Sequence, residues 1–161
     1  MSESGPNIFE PEWQREINQG PFALKGSRVA AAAGASKLGA TVYEIAPGRR
    51  NVPYHAHHGI EELIIVLAGT PTLRTPEGER ELAEGEVVAC LPGDAGAHQL
   101  LNAGDEPVRV LIASSKADAD FIVYPDSNKL FAQSGEWGTP DAFQKILSME
   151  PELGYFDGEL D

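Results

Sequence analysis

The sequence predicts an all-β barrel or double-sheet roll, and three observations carry that expectation. About ten short segments of extended character follow one another along the 161 residues, separated by turn residues. Seventeen glycines and twelve prolines are scattered rather than clustered, as many tight turns require. Two runs, Leu63-Ile64-Ile65-Val66-Leu67 and Val110-Leu111-Ile112-Ala113, are apolar without alternation. A strand with one wet face alternates, so the outer face of these two is expected to be covered by the chain ends or by a second copy.

In chain order, Glu10 to Asn18 reads as a short helix, with Pro11 near its start and Gly20 just past its end. Ser27–Ala33 and Gly39–Ala46 read as strands, the latter through Val42, Tyr43 and Ile45. Pro47-Gly48 turns the chain. Val52–His58 and Glu62–Ala68 follow, then Thr72–Thr75 and Arg80–Leu82 around the turn Pro76-Glu77-Gly78-Glu79. Glu86–Leu91 ends at Pro92-Gly93-Asp94, and Ala97–Asn102, Val108–Ala113 and Asp120–Tyr124 complete the set. Thr139-Pro140-Asp141 reads as the capped start of a helix through Ser148, stopped by Pro151. No linker or repeat divides the chain. One domain over 1–161 is expected, with a barrel core at about 27–124 and terminal extensions 1–26 and 125–161 packed on it.

Twelve basic residues stand against 25 acidic ones, a net charge of −13. Such a surface repels nucleic-acid and anionic-lipid phosphates, so neither nucleic acid nor membrane is expected as a partner. Cys90 is the single cysteine and lies in the apolar run Val87–Leu91, which excludes an internal disulfide and favours an inert buried thiol. Met1 to Pro11 has neither the basic nor the apolar stretch of a signal peptide, and Leu63–Ala68 is too short to cross a bilayer. A cytoplasmic protein is the expectation.

All four histidines, His55, His57, His58 and His98, fall in two short windows. Side chains two apart on a strand share a face, so His55 and His57 aim at one point while His58 aims away. The next strand brings a carboxylate alongside. Two imidazoles and a carboxylate suit a divalent first-row metal. His98, after a Pro/Gly turn, completes three nitrogens and one oxygen, and two octahedral positions stay open.

These windows resemble the two motifs of the cupin superfamily. The first is Gly48, then His55-Ala56-His57, then Glu62 followed by six residues and Gly69. The second is Gly85, then Pro92-Gly93, then His98 followed by three residues and Asn102. Gly48 to His55, Gly85 to Pro92 and Pro92 to His98 are each one residue longer than the family pattern, at strand ends and turns where insertions are tolerated. The count back from Gly69 selects Glu62 over Glu61. Gly20-Pro21-Phe22, Tyr124-Pro125-Asp126-Ser127 and Tyr155-Phe156-Asp157-Gly158-Glu159 are similar to a group of small single-domain bacterial cupins. The resemblance implies a cupin double-stranded β-helix (jelly-roll) barrel with short terminal helices. It also implies one divalent metal ion (iron, manganese, nickel, zinc or copper) on His55, His57, Glu62 and His98.

Around that set, Tyr43, Tyr54, Gln99 and Arg109 read either as reaching into the barrel or, for the tyrosines, as core residues with satisfied hydroxyls, and Arg49 and Arg50 either as attracting an anionic substrate or as paired with surface carboxylates. The intact ligand set favours a mononuclear metal-dependent enzyme on a small polar substrate such as a sugar or organic acid. Isomerase or epimerase, lyase and dioxygenase chemistry all stay open, as does a non-catalytic module that holds a small ligand. If Glu62, Ile64 and Val66 face inward, Leu63, Ile65 and Leu67 face outward, and a homodimer through that face is expected, with residues before Gly48 contributing.

Overall fold

The computed structural model describes residues 5–135 and 139–159. A six-stranded antiparallel sheet runs in the order β1-β2-β3-β10-β5-β8. Its strands are β1 (Arg15–Gln19), β2 (Phe22–Ser27), β3 (Leu38–Ile45), β5 (Glu62–Ala68), β8 (Val87–Cys90) and β10 (Val108–Ser115). A four-stranded sheet contains β4 (Ala56–His57), β11 (Ala119–Tyr124), β12 (Lys129–Ser134) and β13 (Phe143–Ser148), and a three-stranded one β6 (Thr72–Thr75), β7 (Gly78–Glu81) and β9 (Gln99–Leu101).

Strand alternation sorts the side chains. Ile64 of β5 lies opposite Ile112 of β10, and Val66 opposite Val110. All four are buried, and they pack with Ile45, Leu73, Leu82, Leu100 and Val108 into one core between the sheets. Leu63, on the other face, is 40% exposed. The alternation expected of Glu62–Ala68 is therefore present although the residues are apolar throughout. On the same outer face Val42 is fully buried, and the short helix α1 (Val29–Ala32) packs against its strand.

The barrel is closed beside the second motif by buried amides. Asn102 donates to the carbonyls of Ile45 and Glu106 and accepts from the Gly104 amide. Asn51 accepts from the Leu100 amide, and its own amide donates to the Leu100 carbonyl. A buried amide with its partners in place fixes the loops it joins, because leaving any of those groups unpaired is costly.

The two terminal helices are corrections. Residues 10–14 are irregular and Arg15–Gln19 is a strand, paired with β2 in register from Arg15 with Gly26 to Gln19 with Phe22. Gly20, read as a helix stop, is the positive-φ residue of that hairpin turn. Phe143–Ser148 is likewise a strand, paired along its length with β12. An isolated helix this short is marginal in water, whereas a hairpin partner supplies a full ladder of hydrogen bonds. Conversely, Ser27–Ala33 is not a strand. Strand β2 ends at Ser27, and the alanines beyond it form α1, in keeping with alanine's helix preference. No helix among the described residues is long and apolar enough to cross a membrane.

Candidate metal centre

The site forms where the two sheets meet. His55 and His98 face each other in an antiparallel bridge, with the His98 amide donating to the His55 carbonyl and the reverse bond also made. That pairing sets their rings side by side, centroids 4.6 Å apart. His57 sits on β4, opposite Ile122 of β11. Glu62 opens β5, between Cys90 of β8 and Ser114 of β10.

Three of the four side chains converge, and His57 stands beside Glu62 outside that group. His55, Glu62 and His98 offer ligand atoms that all lie within 4.8 Å of one another. Glu62 Oε2 is 3.2 Å from His98 Nε2 and 3.6 Å from His57 Nε2. Glu61 is exposed, and its amide is held by the Ser115 hydroxyl, so the carboxylate at the cluster is that of Glu62. His58 points away to Asp94, 3.2 Å distant.

The hydrogen bonds decide which ring atom faces the cluster. His55 Nδ1 lies 2.9 Å from the Pro53 carbonyl, and His98 Nδ1 3.0 Å from the Gly96 carbonyl. A carbonyl only accepts, so each Nδ1 carries the hydrogen. His57 Nδ1 meets the Asp120 carboxylate at 2.5 Å, and Asp120 is itself held by the Gly59 amide. A neutral ring with Nδ1 as donor presents a lone pair at Nε2. With both rings neutral, the Nε2 lone pairs of His55 and His98 would face the Glu62 carboxylate with no hydrogen-bond donor between them. His98 Nε2 is buried and makes no hydrogen bond of acceptable geometry, although Glu62 stands beside it. A buried acceptor pointed at other acceptors is costly unless a cation or proton lies between them.

The titration tendencies express the same conflict. Burial, reinforced by the neighbouring imidazoles of His98 and His57, pushes His55 down to about 4. Burial opposes a charge on His98 too, but the Cys90 thiol and the Glu62 carboxylate outweigh it, and that ring is pushed up to about 10. Burial raises Glu62, and the three imidazoles bring it below its ordinary range. Without metal the cluster therefore keeps a proton on His98 beside Glu62, and a divalent cation can take that proton's place. This donor set of imidazole and carboxylate fits a first-row divalent metal.

Asp120 escaped the sequence reading. It is 1% exposed, and the contacts with His57 and Gly59 overcome burial and hold its carboxyl below the usual range. The signal was present: Asp120 shares the inward parity of Ile122 in an otherwise apolar strand, where an acidic residue is out of place without a partner.

The surrounding residues divide. Tyr43 lies on the inner face, and its raised hydroxyl pKa comes first from burial, with a contribution from Glu62. Tyr124 stacks on His55, centroids 6.1 Å apart. Gln99 is buried and donates to the Val52 carbonyl, and Tyr54 is covered by the Arg74 guanidinium at 4.0 Å. Arg109 is a correction: it lies opposite Glu44 on the outer face and is paired to it at 2.7 Å, because its register in β10 sends it away from the core. Arg49 is occupied by the Gly20 carbonyl.

Residues 41–114 match a family model described as a cupin domain. Among solved structures, the chain is similar to a protein from Acidithiobacillus ferrooxidans provisionally named a sugar phosphate isomerase. The two are 27% identical over 79% of this chain and 77% of that one, with a TM-score of 0.70. A sugar phosphate isomerase of the cupin superfamily from Silicibacter pomeroyi is 19% identical over 92% and 94%, with a TM-score of 0.78. A polyketide cyclase from Streptomyces resistomycificus is 22% identical over 71% and 80%, with a TM-score of 0.57. The last two likenesses are of fold alone. No curated protein matches the sequence.

Proposed function

The chain is a cupin-domain protein, and from that premise we propose that it is a mononuclear metal-dependent enzyme acting on a small polar substrate, with isomerase chemistry as the leading reading. The observation that carries the metal is the convergence of His55, Glu62 and His98, whose ligand atoms all lie within 4.8 Å of one another. His55, His57, Glu62 and His98 would hold the ion, and Asp120 would orient His57 from outside the ligand set. A bound divalent metal supplies Lewis acidity toward a carbonyl or enolate oxygen. Tyr43, kept neutral by burial, presents a hydroxyl on the same inner face and is positioned to hold or donate a proton to a substrate oxygen. The name of the Acidithiobacillus protein favours isomerisation over oxygen chemistry. The second reading, a binding module without turnover, retains the same ligands.

One experiment separates these readings and tests the choice of carboxylate. Metal-loaded protein is incubated in deuterated water with aldose–ketose pairs, free and phosphorylated, and followed by proton NMR. Exchange at the carbon next to the carbonyl is the expected result, and binding without exchange would favour the module. Glu62→Gln is expected to lose exchange and to weaken metal binding beyond the roughly 10–100-fold cost of removing an outer partner. Glu61→Gln should match the wild type. If only the change at 61 weakens metal binding, the register argument is wrong.

We further propose a homodimer through the outer face of the six-stranded sheet, with residues before Gly48 contributing. Leu63 of β5, Val87 of β8 and Leu91 beyond it are 40%, 56% and 57% exposed, and Leu63 is flanked by Ala89 and Ala113 on the neighbouring strands. Burying each large side chain is worth about 1.5–3 kcal/mol. Sedimentation at micromolar concentration is expected to give twice the chain mass of 17.2 kDa. Leu63→Lys combined with Val87→Lys should shift it to the monomer. A monomeric wild type would refute the pairing.

A further inference from the structure

The inner face of the six-stranded sheet continues past the metal cluster to its β1 edge. Arg15 of β1 lies opposite Gly26 of β2, Gly26 opposite Tyr43 of β3, Tyr43 opposite Val110 of β10, and Val110 opposite Val66 of β5. Paired residues share a face. Val110 and Val66 are fully buried in the core, so this row lies on the inner face of the sheet, with Arg15 exposed at its β1 end. Gly26 contributes no side chain to it; a Cβ there would meet the Tyr43 ring at 3.5 Å. The Tyr43 ring therefore lies over Gly26, between the Arg15 end of the row and the core. The next inward positions toward the cluster are Thr41, Ile112 and Ile64, and the row after that ends on Glu62.

Arg28 joins this edge. It follows β2 directly, and its amide is held by the side chain of Gln14, the residue before Arg15. The Tyr43 hydroxyl senses Glu62 on one side and both guanidinium groups, Arg15 and Arg28, on the other. On a chain of net charge −13, Lys25, Arg74, Arg80 and Arg109 each have a carboxylate partner. Among the described residues, Arg15 and Arg28, which act on the Tyr43 hydroxyl, have none, and neither do Lys37, Arg50, Lys116 and Lys145. Two exposed guanidinium groups at one end of the face that carries the metal cluster are free to receive an anion. A pair of guanidiniums offers its donors best to a doubly charged tetrahedral group.

We propose that Arg15 and Arg28 bind the phosphate of a phosphorylated small polyol or sugar whose reacting end lies at the metal cluster. The proposal rests on the metal-site reading for the position of the reacting end. The phosphate contact itself does not depend on that reading.

The test is calorimetric titration of the full-length, metal-loaded protein with fructose 6-phosphate, fructose, gluconate and inorganic phosphate. Fructose 6-phosphate is expected to bind well above fructose, and inorganic phosphate to compete with it. Arg15→Gln and Arg28→Gln should each weaken the phosphate ligands about tenfold, with fructose and metal content unchanged. Arg15→Lys and Arg28→Lys should recover part of the loss. Lys145→Gln, on β13, should change nothing. Unchanged phosphate affinity in the double glutamine variant would overturn the proposal. Gluconate binding as tightly as fructose 6-phosphate, with equal sensitivity to both arginines, would overturn the phosphate class. The titration is repeated on chelator-treated protein. Arginine-dependent phosphate binding there, beside an untreated wild type that takes up no added metal, would support the subsite and refute the metal reading. Phosphate binding that needs metal and ignores both arginines would do the reverse.

Discussion

Replacing His98 or His55 with alanine is expected to take the protein from close to one equivalent of divalent metal per chain to almost none. Each ring is locked by an Nδ1 hydrogen bond to a carbonyl of its own segment, so no neighbour can swing in to replace a missing Nε2. Elemental analysis of protein purified without a chelating resin or affinity tag measures the result, and circular dichroism checks the fold. Metal content equal to the wild type in both variants would sink the assignment. The metal-free protein also carries a pH signature. His98, raised from 6.5 to about 10, contributes stability that is complete below 6.5 and is lost as pH rises toward 10. His55, lowered from 6.5 to about 4, contributes stability that is complete above 6.5 and is lost as pH falls toward 4. The apo protein should therefore be most stable near neutrality in thermal melts. Metal replaces the proton on His98, so the alkaline decline should disappear on loading, with proton release on binding.

The parts of this arrangement that could be read in advance are those governed by strand parity and motif spacing. Glu62–Ala68 and Thr72–Thr75 are strands with the expected bounds, and the inward set of Glu62, Ile64 and Val66 follows from period two alone. The choice of Glu62 over Glu61 needed only the count to Gly69. What stayed hidden depends on partners distant in sequence. The stretches 10–18 and 139–148 carry proline and glycine signals that a helix and a hairpin share, and only the available strands β2 and β12 decide between them. Asp120 is joined to His57 across 63 positions, and Arg109 to Glu44 across 65, so neither role has a local signature. The edge formed by Arg15, Gly26 and Tyr43 is legible only after three strands have been placed side by side.

The second large effect is expected at Gly96, which spacing alone marks as a turn residue. Its φ does not require glycine; its surroundings do. A Cβ on Gly96 would lie 1.8 Å from the Leu91 carbonyl oxygen and within 2.9 Å of the Leu91 carbonyl carbon and amide nitrogen. All three atoms are backbone, at the point where β8 gives way to the 3₁₀ turn Asp94–Gly96. No rotamer change relieves such a contact, so the turn must move, and the Gly96 carbonyl that holds His98 Nδ1 moves with it. Gly96→Ala should therefore cost more than the 1–3 kcal/mol, roughly, of ordinary overpacking, and should lower metal content as well. Gly93 provides the contrast within the same turn. It has φ +94 and ψ 176 and no atom within 4 Å of an added Cβ, so alanine there meets only backbone strain, about 1–3 kcal/mol, with metal retained. Urea denaturation of the two variants beside the wild type, with metal analysis of each, measures the difference. If Gly96→Ala were no more destabilised than Gly93→Ala and kept its metal, the turn would not be the rigid support that positions His98.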